Sequence, residues 1–411
     1  MVWLRALALC GVVLNIAKPL ERAPAPPRAD STTGVLASLP AEILLGGGVL
    51  LQARVNGSGP HTFALDSAGG SGFIVDARLA KTLRLALQGR ALSSGVGGNS
   101  IPVAFAKGVR LELSNVVFPR ETVAVIDLAS LEPISGRSLS GIIGYGLFTH
   151  YVVQIDYGAR RVDLYPFDAF RYSGEGTILP LRIEKQHFYV AARVRMPGRD
   201  PIDAEFMLDT GAPMTAIAFN RPAVERFRLL ESLQARIVDR SFAGLGGETT
   251  EILDRASELD LGDLRIPNLT VTFSQDTAGS LASKDFDGVI GGELLRRFTV
   301  IFDSPHRRLI LEKNGHFGEP FEHNMSGIAL RAEGSHRRTS LRIHRIIAGS
   351  PAAQAGLREG DRLEAIDGRS AAGFTLDQLY EMFKREGREH VLDVRRGSVT
   401  LRARIRLRRL I

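Results

Sequence analysis

Cysteine is nearly absent from the 411 residues: Cys10 stands alone. That excludes structural disulfides, cysteine metal sites and thiolate catalysis. Histidine is sparse as well, with nine residues scattered singly and no His-Glu-x-x-His helix motif, so no metal site is expected. No apolar run is long enough to span a bilayer. The stretch ALALCGVVLNIA (6–17) has twelve residues behind Arg5 and suits the apolar core of a secretory signal peptide. A lipoprotein reading of Cys10 fits poorly, because Leu9 is bulky and the apolar stretch before it is short. We expect a signal peptide over 1–20, a Pro- and Ala-rich linker over 21–35, and a secreted or periplasmic location. Net charge is +7, with much of the excess arginine near the C-terminus. In TLRARIRLRRL (400–410) the arginines alternate with Leu401, Ala403, Ile405 and Leu407, as on a strand with one solvated face. Without interleaved aromatics this is no nucleic-acid site.

What the chain does contain is a repeat. FALDSAGGSGFIV (63–75) and FMLDTGAPMTAIA (206–218) each place an aspartate behind an apolar run, then a hydroxyl residue, small residues and more apolar sequence. Each reads as a tight turn between buried strands, carrying Asp66 or Asp209. SGIIGYGLFTHYVVQIDYGARRVDLY (140–165) repeats as DGVIGGELLRRFTVIFDSPHRRLILE (287–312) without a gap. Between them, GVGG (95–98) is echoed by GLGG (244–247). Asp66 to Gly144 is 78 residues and Asp209 to Gly291 is 82. Three ordered matches at similar spacing indicate two homologous lobes, 36–172 and 173–316. Short β-branched and aromatic strands between Gly, Asn and Asp turns make the lobes mainly β, with short helices over 76–84 and near 292–297.

Two facing carboxylates that share one proton can activate a water and polarise an amide carbonyl without a metal. The paired turns resemble the aspartic-protease superfamily, and more narrowly its bacterial retropepsin-like members with a duplicated motif and a following PDZ domain. The resemblance covers about 60–315. It implies two acid-protease lobes forming one cleft, with Asp66 and Asp209 catalytic. It implies that Ser67, Thr210 and Gly211 brace the loops. The apolar-apolar-Gly supports are then Ile142, Ile143, Gly144 and Val289, Ile290, Gly291. The hairpins covering substrate would carry Gly95, Gly97, Gly98 and Gly244, Gly246, Gly247. A peptide or protein substrate is implied, no cofactor, and a monomer suffices because one chain holds both aspartates. One departure stands out: the family has Asp-Thr-Gly or Asp-Ser-Gly, and lobe one has Ala68 at the glycine position. If the turn needs a left-handed residue there, Ala68 costs about 1 kcal/mol or more.

RIHRIIAGSPAAQAGLREGDRLEAIDG (342–368) resembles a PDZ domain, which we place at 322–411. The resemblance implies an α+β domain whose groove lies between a helix over 376–386, capped by Thr375, and the strand beginning SGIAL (326–330). Amides near Gly327, Ile328, Ala329 and Leu330 would receive the carboxylate of a C-terminal peptide. A domain that only packs against the lobes is the other reading. DSAGG (66–70) also has a serine-protease look, but only His61 and Asp30 lie upstream, in the wrong order for a triad. The stronger rival to an endopeptidase is a weak or inactive protease-fold module that binds peptides, which Ala68 favours.

Overall fold

The computed structural model describes residues 34–70, 72–231, 233, 237–239, 243–333 and 340–411. The expected signal peptide, Cys10 and almost all of the linker lie outside the described residues. Each half of the chain from Glu42 to Ile290 builds an eight-stranded sheet, and the two sheets have the same strand order. In lobe one the order is Glu42–Ile43, Val49–Val55, Ser58–Leu65, Gly141–Ile143, Phe73–Asp76, Val116–Ile126, Ser100–Leu113, Leu87–Ser94. In lobe two it is Arg182–Glu184, His187–Arg195, Ile202–Leu208, Gly288–Ile290, Ile217–Phe219, Leu264–Ser274, Glu251–Leu261, Ile237–Asp239.

The register repeats too. Phe63, Ala64 and Leu65 run parallel to Gly141, Ile142 and Ile143; Phe206, Met207 and Leu208 run parallel to Gly288, Val289 and Ile290. These short central strands are apolar on both faces because both faces are covered. Each first turn leads into a capped helix. Asp76 caps Ala77–Thr82 by accepting from the Arg78 amide, and Asn220 caps Arg221–Arg226 by accepting from the Ala223 amide. The second of these helices is absent from the sequence-based expectation, whereas a short helix does form at Gly292–Leu295.

A third sheet joins the lobes, in the order Ala37–Pro40, Arg161–Tyr165, Val152–Asp156, Phe298–Asp303, Arg308–Lys313, Thr177–Pro180. Its centre pairs Val153 with Phe302 and Ile155 with Val300, so each lobe supplies half. Above it three fully buried rings meet: Phe148 of lobe one, Phe188 of lobe two and Phe302 of the sheet, with centroids 5.0–5.3 Å apart. They sit in one continuous core that runs through both lobes.

The C-terminal domain has its own core, including Ile328, Ile343, Leu363, Leu379, Phe383, Leu392 and Ile405. Its sheet runs Ile328–Glu333, Ser340–Ile346, Arg362–Ile366, Glu389–Arg396, Val399–Arg406, which leaves Ile328–Glu333 at one edge. In the last strand Ala403 and Ile405 are buried while Arg402, Arg404 and Arg406 are exposed. Thr375 caps the helix Leu376–Met382 in a reciprocal box with Gln378, satisfying two helix-end amides. The domain docks across both lobes, with Arg137–Asp377 at 3.8 Å on one side and Lys384–Glu293 at 3.9 Å on the other. Among the described residues no helix is long and apolar enough to cross a membrane.

Removing a ring from the interlobe cluster should destabilise both lobes together. Phe302→Ala is expected to cost about 3–5 kcal/mol in denaturant unfolding. Ile178→Ala, on the rim of the same sheet and 49% exposed, should cost well under about 1 kcal/mol.

Candidate active site

The end of each apolar triplet delivers an aspartate to the line between the lobes. The Asp66 amide donates to Ile143 O at 2.9 Å, and the Asp209 amide to Ile290 O at 3.0 Å. Gly144 and Gly291 follow these carbonyls, where the aspartate loops fold back. A methyl on Gly144 would lie 2.6–2.7 Å from the Gly72 and Gly69 oxygens, and one on Gly291 2.5–2.6 Å from those of Ala212 and Thr215. Only glycine lets the loop approach this closely.

The hydroxyl residues lock the two loops to each other. The Ser67 amide donates to Thr210 Oγ1 (2.9 Å), and the Thr210 amide donates to Ser67 Oγ (3.1 Å). Each hydroxyl then donates across the interface to a backbone carbonyl: Ser67 to Leu208 (2.8 Å), Thr210 to Leu65 (3.0 Å). Four buried bonds thus bind residues about 140 positions apart, and rotate Asp66 and Asp209 toward each other.

Both carboxyl groups are 0% exposed. Each accepts one amide on Oδ1, from Ala68 at 2.9 Å or Gly211 at 2.8 Å. Neither Oδ2 has a hydrogen-bond partner, and each carboxyl group shifts the proton affinity of the other. Burial pushes Asp66 well above the usual carboxylate range, and the charge of Asp209 pushes it further, against the Ala68 amide. Burial raises Asp209 too, with Asp66 and the Gly211 and Ala212 amides pulling back. Two such groups cannot both ionise cheaply, so loss of the second proton is opposed.

Ala68 does not carry the strain that its place in the motif suggests. Its backbone stays out of the left-handed region; Gly70, two residues on, takes the positive angle (φ 80°). Its methyl packs in a buried apolar cluster with Val96, Tyr189, Met207, Ala212, Leu281, Phe286 and Val289. The true close approach is in lobe two, where a methyl on Gly211 would fall 2.4 Å from Asp66 Cγ.

The two glycine hairpins meet tip to tip. The Gly246 amide donates to Val96 O and the Asn99 amide to Gly246 O, both at 2.9 Å. Gly97 (φ 92°) has Gly246 O 2.4 Å from where a methyl would be. Gly95 accepts from the Ser280 amide, and Gly98, Gly244 and Gly247 (φ 107°) complete the turns. Each tip sends one apolar side chain into the opposite lobe. Val96 enters the cluster around Tyr189 and Phe286, while Leu245 packs against the lobe-one cluster of Leu50, Ile74 and Ile142. Sequence reasoning named the glycines and passed over these two residues, although both hold the second position of the repeated Gly-x-Gly-Gly.

His187 was also missed. It is buried beside Tyr189, their rings 6.3 Å apart, and faces the carbonyls of Lys185 and Ala68 without a hydrogen bond of good geometry to either. Burial lowers its pKa to about 4, so it is neutral at physiological pH. No local pattern marks it, since its position opposite loop one depends on the lobe pairing.

In the C-terminal domain the expected carboxylate-binding segment is internally satisfied. The Ile328 amide donates to Ser326 Oγ at 3.1 Å, Asn324 Nδ2 donates to Ile328 O at 2.6 Å, and the Ile347 amide donates to Gly327 O. Ile328 and Leu330 are buried and Ala329 half-buried.

Comparison with known proteins supports the two-part organisation. Residues 51–147 match the family model described as aspartyl protease, and residues 342–396 match that of the PDZ domain. The first match spans lobe one from its second strand past Ile142-Ile143-Gly144, and lobe two repeats the same strand order and register. A comparison with curated proteins finds no match. Among solved structures, an aspartic proteinase from Irpex lacteus is 13% identical with a TM-score of 0.45, over 69% of this chain and 98% of that one. The matches therefore place an aspartyl protease domain at residues 51–147 and a PDZ domain at 342–396 of a mainly β chain.

Two predictions follow from the buried pair and its neighbour. Carboxyl groups raised by folding leave stability intact below about pH 4, where the unfolded chain is also protonated. They lower it as pH rises toward their folded values, by about 1.4 kcal/mol for each tenfold gain in proton affinity. Asp66→Asn or Asp209→Asn should therefore raise Tm at pH 7 and leave it nearly unchanged at pH 3.5, measured by calorimetry. Ala68→Gly should relieve nothing and cost about 1–2 kcal/mol, from the lost buried methyl and the freer unfolded chain.

Proposed function

We propose that the chain is an aspartic endopeptidase that hydrolyses peptide bonds between its two lobes. The observation that carries this reading is the coupled, buried Asp66/Asp209 pair with both Oδ2 atoms unpartnered outside it. A water seated between these oxygens would give a proton to the ionised carboxylate as its oxygen attacks the scissile carbonyl carbon. The protonated partner would donate to the carbonyl oxygen, giving a neutral tetrahedral diol. Collapse then breaks the C–N bond: the leaving nitrogen takes the proton held on the pair, one diol hydroxyl gives its proton back to the pair, and a carboxylic acid and an amine are released. Proton count is conserved, and the pair ends with the single proton it began with.

Ser67 and Thr210 act as positioning residues, because their cross-lobe bonds hold the carboxylates in register. Low-dielectric surroundings keep one proton on the pair, and the closed hairpins supply those surroundings. Activity would rise as pH increases through loss of the first proton and fall through loss of the second. One chain supplies both aspartates, so a monomer suffices. The PDZ domain would recruit a substrate or partner through its free C-terminus, and the apolar run at 6–17 would direct export.

A binding-only module is the second reading, favoured by the full burial of both carboxyl groups. One assay separates the two. The wild-type chain should cleave a fluorescently labelled unfolded protein, and Asp66→Asn and Asp209→Asn should each lower kcat about 10²–10⁴-fold with folding intact. Cleavage that survives either substitution contradicts the two-aspartate mechanism. A silent wild type that still binds extended peptides would establish the module instead.

A further inference from the structure

The groove of the PDZ domain is occupied by the chain itself. Its two walls are the edge strand Ile328–Glu333 and the helix Leu376–Met382. The lobe-one turn Glu132–Ser135 lies against the first. The next residue, Gly136, sits where a methyl would be 3.4 Å from Leu376 Cδ1 at the start of the second. Arg137 then pairs with Asp377 of the same helix and donates twice to Glu42 of lobe one.

The same hairpin of the PDZ domain grips a covering hairpin of the cleft. Glu248 directly follows Gly246-Gly247, the tip that bonds Val96 and Asn99 of the lobe-one hairpin. Its Oε1 lies 3.3 Å from Arg331 Nη2 and 3.0 Å from His344 Nε2, and its Oε2 lies 3.2 Å from Arg345 Nη2. Arg331 belongs to the groove-wall strand; His344 and Arg345 belong to the strand beside it. A carboxylate at the tip of the lid is therefore held by two arginines, Arg331 of the groove-wall strand and Arg345 of the strand beside it, with the His344 ring against it.

We propose that the PDZ domain is the latch of the lobe-two hairpin, with lobe-one residues 132–137 as the groove's resident occupant, and that a C-terminal peptide opens the cleft by displacing them. This rests on the endopeptidase reading only for its consequence, faster cleavage; the coupling itself does not. A peptide adding to the Ile328–Glu333 edge makes main-chain hydrogen bonds along a free sheet edge. Its carboxylate takes the Ile328 amide from the Ser326 hydroxyl. Room for it requires the turn at 132–137 to leave, which moves Arg331 and Arg345 away from Glu248. Partly exposed ion pairs contribute little each, so the latch can be undone. The lid tip is then held by its own contacts with Val96 and Asn99 and by Leu245 against the lobe-one cluster.

The test uses the full chain with Gly136→Cys and Leu376→Cys, and with Cys10→Ser so that these are the only thiols. A side chain at 136 begins 3.9 Å from Leu376 Cβ, within disulfide reach; Gly136 is left-handed (φ 64°), and the strain of a cysteine there is common to the reduced and oxidised forms being compared. Hydrogen exchange of the Gly246 and Asn99 amides reads the lid directly. Oxidation should slow that exchange at least tenfold relative to the reduced form, and Glu248→Gln in the wild-type background should speed it. A randomised decapeptide library with free C-terminal carboxylates should speed it in the reduced form and not in the oxidised one; the amidated library should do neither. Equal exchange in oxidised and reduced protein, or no response to the free-carboxylate library, overturns the latch. Cleavage of the labelled unfolded protein is followed in parallel. Exchange that responds while no form cleaves supports the latch and removes the endopeptidase reading. Cleavage that is equal in every form, with unresponsive exchange, does the reverse.

Discussion

Two carboxyl groups that repel when ionised are buried side by side, and the exchange of hydroxyl bonds between Ser67 and Thr210 keeps them there. Everything else in the lobes serves that arrangement. The pair is unfavourable by itself, since burying a charge without a partner is costly. It persists because the surrounding structure over-determines it. The supports Ile143 and Ile290 hold the aspartate amides, the loops are sewn together across the interface, and a six-stranded sheet fixes one lobe to the other. The fully buried rings of Phe148, Phe188 and Phe302 fill the space between.

The lid makes the site's chemistry conditional. With the hairpins crossed, Val96 and Leu245 fill the opposite lobes' apolar clusters, and the aspartates are sealed from solvent. Their burial also raises the proton affinity of the pair. The lid contacts are backbone hydrogen bonds at glycines plus two apolar side chains, a set small enough to be made and broken.

The duplication was legible because its signals are local. An aspartate behind Phe-Ala-Leu or Phe-Met-Leu, and an apolar-apolar-Gly element at similar distance, can be found without knowing the fold. The arginine-faced last strand and the Thr375-capped helix were legible for the same reason. The state of Ala68 was not. Which residue of a turn takes the left-handed angle depends on how the loop seats against Gly144 and its neighbours, and Gly70 takes it. Val96, Leu245, His187 and Glu248 escaped because each acquires its role from a partner in another lobe or domain. The filled groove at 132–137 is likewise a property of docking, invisible to any pattern within the PDZ sequence.

The central claim is that Asp66 and Asp209 titrate as one unit with a retained proton. Carboxyl ¹³C NMR of the chain labelled at aspartate Cγ, recorded against pH, tests it directly, with Asp66→Asn and Asp209→Asn spectra assigning the pair. The account predicts two macroscopic steps shared by both carbons, well separated and both above the ordinary aspartate range of about 3.9. Two independent single titrations near about 3.9, one for each residue, would contradict it.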